Sequence, residues 1–114
     1  MAAVYVTNIV INSGADFTQY FNLETSDTQS PLDLTGYQVN AQFRKWSGSS
    51  TSVSFATTVT NPPTLGQVYL SLSEQNTVSL KPGRYVYDIL LTDNVGVKTR
   101  VVEGMVLVRE GVTR

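Results

Sequence analysis

The last third of the chain reads as one long β-hairpin. The segment Arg84–Thr92 alternates between apolar and polar positions, and a four-residue connection, Asp93–Gly96, leads into a second extended run, Val97–Val108. The apolar positions of the first strand are Tyr85, Tyr87, Ile89 and Leu91. Because successive side chains of a strand point to opposite faces, these four share one face. Gly96 stands where a positive φ costs little, which favours a turn. Such a hairpin is typical of a β-sandwich.

Five further strand-like runs precede this hairpin. They are Val4–Ile11, Phe17–Leu23, Val39–Phe43, Val53–Val59 and Val68–Leu72. Most of them alternate with period two, and turn residues separate them at intervals typical of a sandwich. No stretch has helical periodicity long enough to cover a sheet. The sequence therefore predicts one domain over residues 1–114, an all-β, antiparallel immunoglobulin-like β-sandwich of about seven strands.

A single helical turn is predicted at Ser73–Thr77, between the run that ends at Leu72 and the final hairpin. The hydroxyl of Ser73 is placed to accept a hydrogen bond from an exposed backbone N–H, and Glu74 lies near the positive end of the turn. We expect this turn to carry the chain from one sheet to the other.

The composition excludes several classes of function. The chain has no cysteine and no histidine, so disulfides, thiolate or imidazole metal sites and the usual nucleophile–histidine pairs are absent. Eight basic and nine acidic residues give a net charge of −1, which provides no field to attract nucleic acid or an anionic membrane. No apolar run approaches the roughly 20 residues of a membrane helix. We expect a protein that is made and kept soluble in a cytoplasm, with no cofactor.

Carboxylates are the remaining candidates for chemistry. The most closely spaced are Glu24, Asp27 and Asp33. They lie in or beside a polar loop, where solvated charge explains them better than the acid pair of a glycosidase does. Oxygen ligands for Ca²⁺ are available at Asp88, Asp93 and Asn94, but the last two are also ordinary turn residues. We therefore predict no catalytic residue and no metal site.

Trp46 is the aromatic residue best placed for a contact with another molecule. The six tyrosines mostly occupy strand positions, where aromatic rings are ordinary packing material. Trp46 stands at a strand end beside a Gly/Ser loop, where an indole is available to a partner. An exposed aromatic row would instead suit a carbohydrate-binding module.

The second strand of the hairpin is apolar on both faces. One face carries Val97, Val101, Met105 and Leu107, and the other carries Val102, Val106 and Val108. A strand of an isolated sandwich has one face in contact with water, so the second face needs a partner, either within the chain or outside it. With only 114 residues, the pattern favours an outside partner. The candidate interface residues are therefore Trp46, Val97, Val102, Val106 and Val108.

Four segments, in their order along the chain, resemble small virion proteins of tailed bacteriophages. They are DLTGY at Asp33–Tyr37, LSLSEQNT at Leu70–Thr77, PGRYVYD at Pro82–Asp88 and VEGMV at Val102–Val106. The pattern covers about residues 32–114 and is similar in particular to the immunoglobulin-like domain at the start of phage baseplate upper proteins. The resemblance implies an adaptor or decoration domain without catalysis, held in the particle by surface contacts.

These observations predict a structural component of a tailed-phage virion, either a tail or baseplate protein or a fibre-attachment adaptor. It would dock on other virion proteins in a multi-copy assembly, with no nucleic-acid or membrane partner. Edge strands and Val97–Val108 would supply the contacts, and loops at Trp46 and Asn61–Gly66 the specificity. The alternatives are a capsid decoration protein and a carbohydrate-binding β-sandwich module. A hydrolase that uses carboxylates alone is the enzyme alternative.

Overall fold

Two facing β-sheets make up the computed structural model, which describes residues 5–24, 30–46, 48–50 and 52–112. Nine strands lie within these residues. They are β1 (Tyr5–Val6), β2 (Ile9–Asn12), β3 (Phe17–Asn22), β4 (Gln38–Arg44), β5 (Val53–Ser54), β6 (Ala56–Val59), β7 (Gln67–Leu72), β8 (Gly83–Thr92) and β9 (Lys98–Arg109). A 3₁₀ turn at Pro63–Leu65 precedes β7, and one α-helical turn, α1 (Glu74–Thr77), follows it. Within the described ranges, neither helical turn has the length and apolar character needed to cross a membrane.

The larger sheet has the order β1-β9-β8-β4-β5, with β2 also paired to β9. The smaller sheet has the order β3-β7-β6. All pairings are antiparallel except those of β1 and β2, which run parallel to β9. Consecutive strands pass repeatedly from one sheet to the other, so the chain closes a single core between them.

The predicted immunoglobulin-like sandwich is confirmed, and its seven runs account for the nine strands. β1 and β2 belong to one run that is interrupted at Thr7 and Asn8 while it follows β9. The run over β5 and β6 changes sheet at Phe55, whose N–H donates to the carbonyl of Ala41 over 3.0 Å. Val4, where the first run was predicted to begin, lies outside the described residues.

The core lies where the inward faces of the two sheets meet, as the alternation predicts. Phe55, at the change of sheet, has its ring 5.1 Å from that of Phe43 and 5.8 Å from that of Phe17, centroid to centroid. Ile89 from the larger sheet and Leu70 from the smaller one are fully buried. Burying such side chains is the main source of stability in a chain without disulfides.

The crossover between the sheets is confirmed, but its capping differs from the prediction. The hydroxyl of Ser73 makes no capping hydrogen bond. The N–H of Glu74 instead donates to the carboxylate of Asp16, with a 2.7 Å contact. The buried Thr77 adds a second link, because its hydroxyl accepts from the N–H of Gly14 and lies 2.9 Å from the carbonyl of Ala15. A distant loop therefore caps the turn, a partner that local spacing does not reveal.

The start of β8 carries a tyrosine corner. The hydroxyl of Tyr85 donates to the carbonyl of Lys81, four residues earlier, over 2.8 Å. This bond lies where the chain enters β8, and it recurs at the corresponding strand of immunoglobulin-like sandwiches. The ammonium group of Lys45 lies 4.9 Å from the centre of the same ring.

β9 departs from simple alternation at one point. The register with β8 shifts between Ile89 and Leu90, so that Val101 is an extra residue on β9. Val101 and Val102 are consequently both fully buried. Such a β-bulge reverses the parity of side chains along one strand. The predicted division of β9 into two faces is wrong at Val101 for this reason.

Candidate docking surface

The outer face of the larger sheet carries exposed apolar side chains on neighbouring strands. In β8 the inward positions are Tyr85, Tyr87, Ile89 and Leu91, as predicted, so Val86 points outward. Register places Met105 opposite Val86, and Leu107 beside Val10. These side chains and Val6 are all exposed, with Val6 at 75% and Met105 at 47%. We call Val6, Val10, Val86, Met105 and Leu107 the outer strip.

Charged side chains surround the outer strip, and several of them form an ion pair or hydrogen bonds with neighbouring groups. Arg100 forms an ion pair with Asp88 over 3.2 Å. The guanidinium of Arg44 donates to the carbonyl of Ser49 over 2.7 Å and to the amide oxygen of Gln42 over 3.1 Å. These bonds restrict the side chains of Arg44 and Arg100 in the free protein. Binding of a partner would therefore cost less conformational entropy at the rim.

A shallow groove of about 760 Å³ runs between the outer strip and this rim. Val6, Val86 and Met105 line its apolar part, and Trp46 stands beside it with 62% of its surface exposed. An apolar floor with a polar, charged border is the usual composition of a protein-docking surface.

The interruption between β1 and β2 lies beside the centre of β9. The chain passes close over Gly104, where a Cβ atom would lie 2.1 Å from the carbonyl oxygen of Thr7. The side-chain oxygen of Asn8 accepts from the N–H of Met105 over 3.1 Å. From the core side, the hydroxyl of Tyr87 donates to the carbonyl of Thr7 over 2.5 Å. Burial raises the pKa of Tyr87 above its usual range. Gly104 is thus required by a close backbone approach.

Three of the predicted interface residues are not at the surface. Val102, Val106 and Val108 are buried in the core, with at most 2% of their surface exposed. β9 also has neighbours on both sides, so its backbone forms no sheet edge. The prediction that these residues contact a partner is therefore corrected. The apolar side chains of β9 that do face outward are Met105 and Leu107, because the second sheet covers the other face.

Trp46 and Val97 are both exposed but lie at opposite ends of the sandwich. Trp46 follows the end of β4 that pairs with the beginning of β8, whereas Val97 adjoins the turn after the end of β8. The loop Asn61–Gly66 lies near the Val97 end, since Leu34 donates to the carbonyl of Pro63 and Gly36 approaches Asn94. The structure therefore does not bring the two predicted specificity loops together. Ser47 and Thr51, in the loop after Trp46, lie outside the described residues.

No residue of the outer strip was among the predicted interface residues, although Met105 and Leu107 were assigned together to one apolar face of their strand. Val10 lies in the predicted run Val4–Ile11 between two other apolar residues, Ile9 and Ile11, and of these three only Ile9 and Ile11 are buried. Val86 and Leu90 were the two apolar residues on the otherwise polar face of β8. Alternation in β8 was the signal that marks Val86 as outward. Assembling the strip required the register of three strands.

Three of the carboxylates considered for calcium or for acid chemistry, Asp33, Asp88 and Asp93, have structural partners. The carboxylate of Asp93 accepts from the N–H groups of Val95 and Val97, over 3.0 and 2.9 Å, which confirms its role in the hairpin turn. Asp33 accepts from the N–H and hydroxyl of Thr35, and these bonds lower the pKa of its carboxyl. Asp27 lies outside the described residues. No group of three or more acidic residues suited to a metal ion occurs in the described part of the chain.

Comparison with known proteins supports the fold alone. No family model and no curated protein matches the sequence. Among solved structures, a mutant of the SrpA adhesin from Streptococcus sanguinis superposes with a TM-score of 0.52 at 14% sequence identity, over 96% of this chain and 57% of that one. An internalin-like protein from Listeria monocytogenes gives a TM-score of 0.44 at 12% identity, over 95% of this chain and 28% of that one. The chain thus spans little more than half of the first of these proteins.

Proposed function

We propose that this chain is a structural component of a tailed-phage virion that acts by docking on other virion proteins, as an adaptor in the tail, the baseplate or the fibre attachment. The single observation that carries the docking role is the outer strip. A contiguous apolar surface rimmed by charges marks an interaction site, because exposure of such a surface to water is unfavourable. No catalytic residue, cofactor, nucleic acid or membrane enters this proposal.

The virion assignment rests on the resemblance of four segments to phage virion proteins. Their places in the fold support reading them together. DLTGY leads into β4, LSLSEQNT spans the end of β7 and α1, PGRYVYD opens β8 with its tyrosine corner, and VEGMV forms the centre of β9. VEGMV includes Gly104 and Met105, so the same segment both admits the close approach of Thr7 and contributes to the outer strip.

In the proposed mechanism the outer strip supplies apolar contact area and the rim sets orientation. Interfaces of this kind bury on the order of 1,600 Å² in total. Arg100 and Asp88 already form an ion pair in the free protein, and Arg44 is held by Ser49. A partner with complementary charges would align on these groups, since rim charges favour the correct orientation over others.

The test is assembly of a single-site variant with the other virion proteins of the source. Met105→Lys places a charge in the centre of the outer strip and should abolish complex formation, measured as mass by light scattering of the mixture. Val78→Lys is the matched control, because Val78 is also exposed but lies after α1, away from the strip. Wild-type assembly of Met105→Lys would overturn the docking role of the strip.

Carbohydrate binding is the second candidate function, favoured by the position of Trp46. Its exposed indole borders the groove together with the polar side chains of Gln42, Arg44 and Asp88, a combination that suits a sugar ring stacked on an aromatic face. Trp46 is the only tryptophan of the chain, so its fluorescence reports directly on the groove. Quenching or a spectral shift with a glycan, lost in Trp46→Ala, would support this candidate over docking by the outer strip.

A further inference from the structure

The smaller sheet ends in an open edge at β3. In the described part of the chain, β3 pairs only with β7. The N–H of Leu23 donates to the carbonyl of Gly66, which continues the same register. Backbone groups of an antiparallel strand alternate in direction. Phe17, Gln19 and Phe21 therefore direct their N–H and C=O groups to β7, and residues 18, 20 and 22 direct theirs to the open side.

This edge has none of the features that usually protect a sheet edge. Natural edges carry charged residues, proline or bulges. β3 has the sequence FTQYFN, and β6 and β7 likewise contain no charged residue and no proline. The pairing of β3 with β7 is regular over all six residues. Among the other edges, β5 has only two residues, and the edge formed by β1 and β2 is interrupted at Thr7 and Asn8. The edge at β6 is tied to the larger sheet, because the hydroxyl of Thr57 donates to the carbonyl of Val39.

We propose that β3 pairs antiparallel with β3 of a second copy of this chain, so that the two smaller sheets become one six-stranded sheet. A two-fold axis beside Tyr20 would place Tyr20 opposite its own counterpart and Thr18 opposite Asn22. This register engages all three outward N–H groups and all three outward C=O groups of each copy. A slip of one residue would bring outward groups against inward ones and lose the bonds.

The side chains also fit self-pairing. Because β3 is uncharged, no like charges meet along the strand, whereas a charged strand would repel its own copy. Tyr20 is 54% exposed, and its ring lies 5.1 Å from that of Tyr69, centroid to centroid. In the symmetric register the tyrosines of both copies form a row of four rings across the outer face. Cross-strand aromatic pairs of this type are favourable.

One electrostatic cost accompanies this register and gives the pairing a diagnostic signature. Asp16, just before β3, would approach Glu24 of the second copy at each end of the interface. Added salt screens this repulsion, so we expect association to tighten with salt. Glu24→Gln should strengthen association by about three- to ten-fold, because it removes both like-charge contacts. The β3 edge and the outer strip are on different sheets, so self-pairing leaves the strip free.

The experiment is sedimentation equilibrium of the purified chain up to millimolar concentration, with two variants on the same uncharged sheet. The wild type should approach twice the monomer mass, and Tyr20→Lys should remain monomeric. Thr58→Lys is the control, because Thr58 is an exposed residue of β6, the strand at the other edge of the smaller sheet. This variant should dimerise like the wild type. Circular dichroism identifies any variant that fails to fold.

Amide hydrogen exchange of the wild type supplies a test that needs no variant. The N–H groups of Thr18, Tyr20 and Asn22 should become protected as concentration rises, while those of β6 should not change. A wild type that stays monomeric at millimolar concentration would overturn the proposal. A dimer that persists in Tyr20→Lys, or that forms without protection of these three amides, would overturn it as well.

Discussion

The hydroxyl of Tyr87 donates a hydrogen bond to the backbone carbonyl of Thr7 over 2.5 Å, and this bond joins the middle of β8 to the interruption between β1 and β2. The register places Gly104 of β9 directly beside Tyr87. The carbonyl of Thr7 therefore occupies the space that a side chain of Gly104 would fill, on the inward face of the sheet, and the buried phenol of Tyr87 holds it there. The three residues fix the path of the first strand run and, with it, the position of Val6 in the outer strip.

Removal of this hydroxyl should destabilise the fold. Tyr87→Phe leaves the ring in place but deprives the Thr7 carbonyl of a partner, which should lower the free energy of unfolding by about 1–2 kcal/mol. Urea denaturation measures the change. Tyr85→Phe is the control, because its bond to Lys81 is solvent-exposed and water can replace it, so its loss should cost only about 0.5 kcal/mol. Equal losses in the two variants would contradict the structural role of Tyr87.

The same residue should make stability dependent on pH in the alkaline range. Burial raises the pKa of Tyr87 in the folded state above its ordinary value of 10.0. The unfolded chain therefore loses this proton at a lower pH than the folded protein does. The stabilisation that Tyr87 gives to the folded state is complete below about pH 10 and declines as the pH rises further. Urea denaturation of the wild type should show a steeper loss above pH 10 than that of Tyr87→Phe. Parallel pH profiles of the two proteins would refute this prediction.

A methyl group at Gly104 should disrupt the crossing of the first strand run. The Cβ atom of Gly104→Ala would lie 2.1 Å from the carbonyl oxygen of Thr7, a contact that the backbone must move to relieve. We expect a loss of about 2–4 kcal/mol in unfolding free energy, measured by urea denaturation. Gly48→Ala serves as the control, since its Cβ would meet nothing nearer than the side chain of Trp46 at 3.7 Å. A neutral Gly104→Ala would show that the approach of Thr7 is not needed.

Substitution by threonine should destabilise the fold at one of two neighbouring residues of β9 and leave stability nearly unchanged at the other. Val106→Thr buries a hydroxyl in the core and should cost about 1–3 kcal/mol. Leu107→Thr changes an outward side chain and should stay within about 0.5 kcal/mol. Thermal unfolding measures stability, and the mass of a mixture with virion proteins, measured by light scattering, reports docking. Only Leu107→Thr should weaken docking while its stability remains that of the wild type. The reverse pattern would restore Val106 as an interface residue.

Much of the fold was predictable because alternation is a local property. The inward face of β8, the turn at Asp93–Gly96 and the crossover at α1 follow from residue order, turn chemistry and spacing. The candidate site was predictable only in part. Trp46 was recognised from its place at a strand end, but Val106 was assigned to the surface because an apolar face is equally consistent with a core and with an interface.

Local pattern alone determined that this chain would form strands, which side chains within most strands share a face, and that it would lack histidine and cysteine chemistry. Tertiary structure decided which of two apolar faces is buried. The bulge at Val101 reverses the parity of β9, and the parallel pairing of β1 and β2 with that strand brings Val6 and Val10 beside Met105 and Leu107. The physical reason is that register and the opposing sheet depend on residues far apart in sequence, whereas alternation depends only on neighbours.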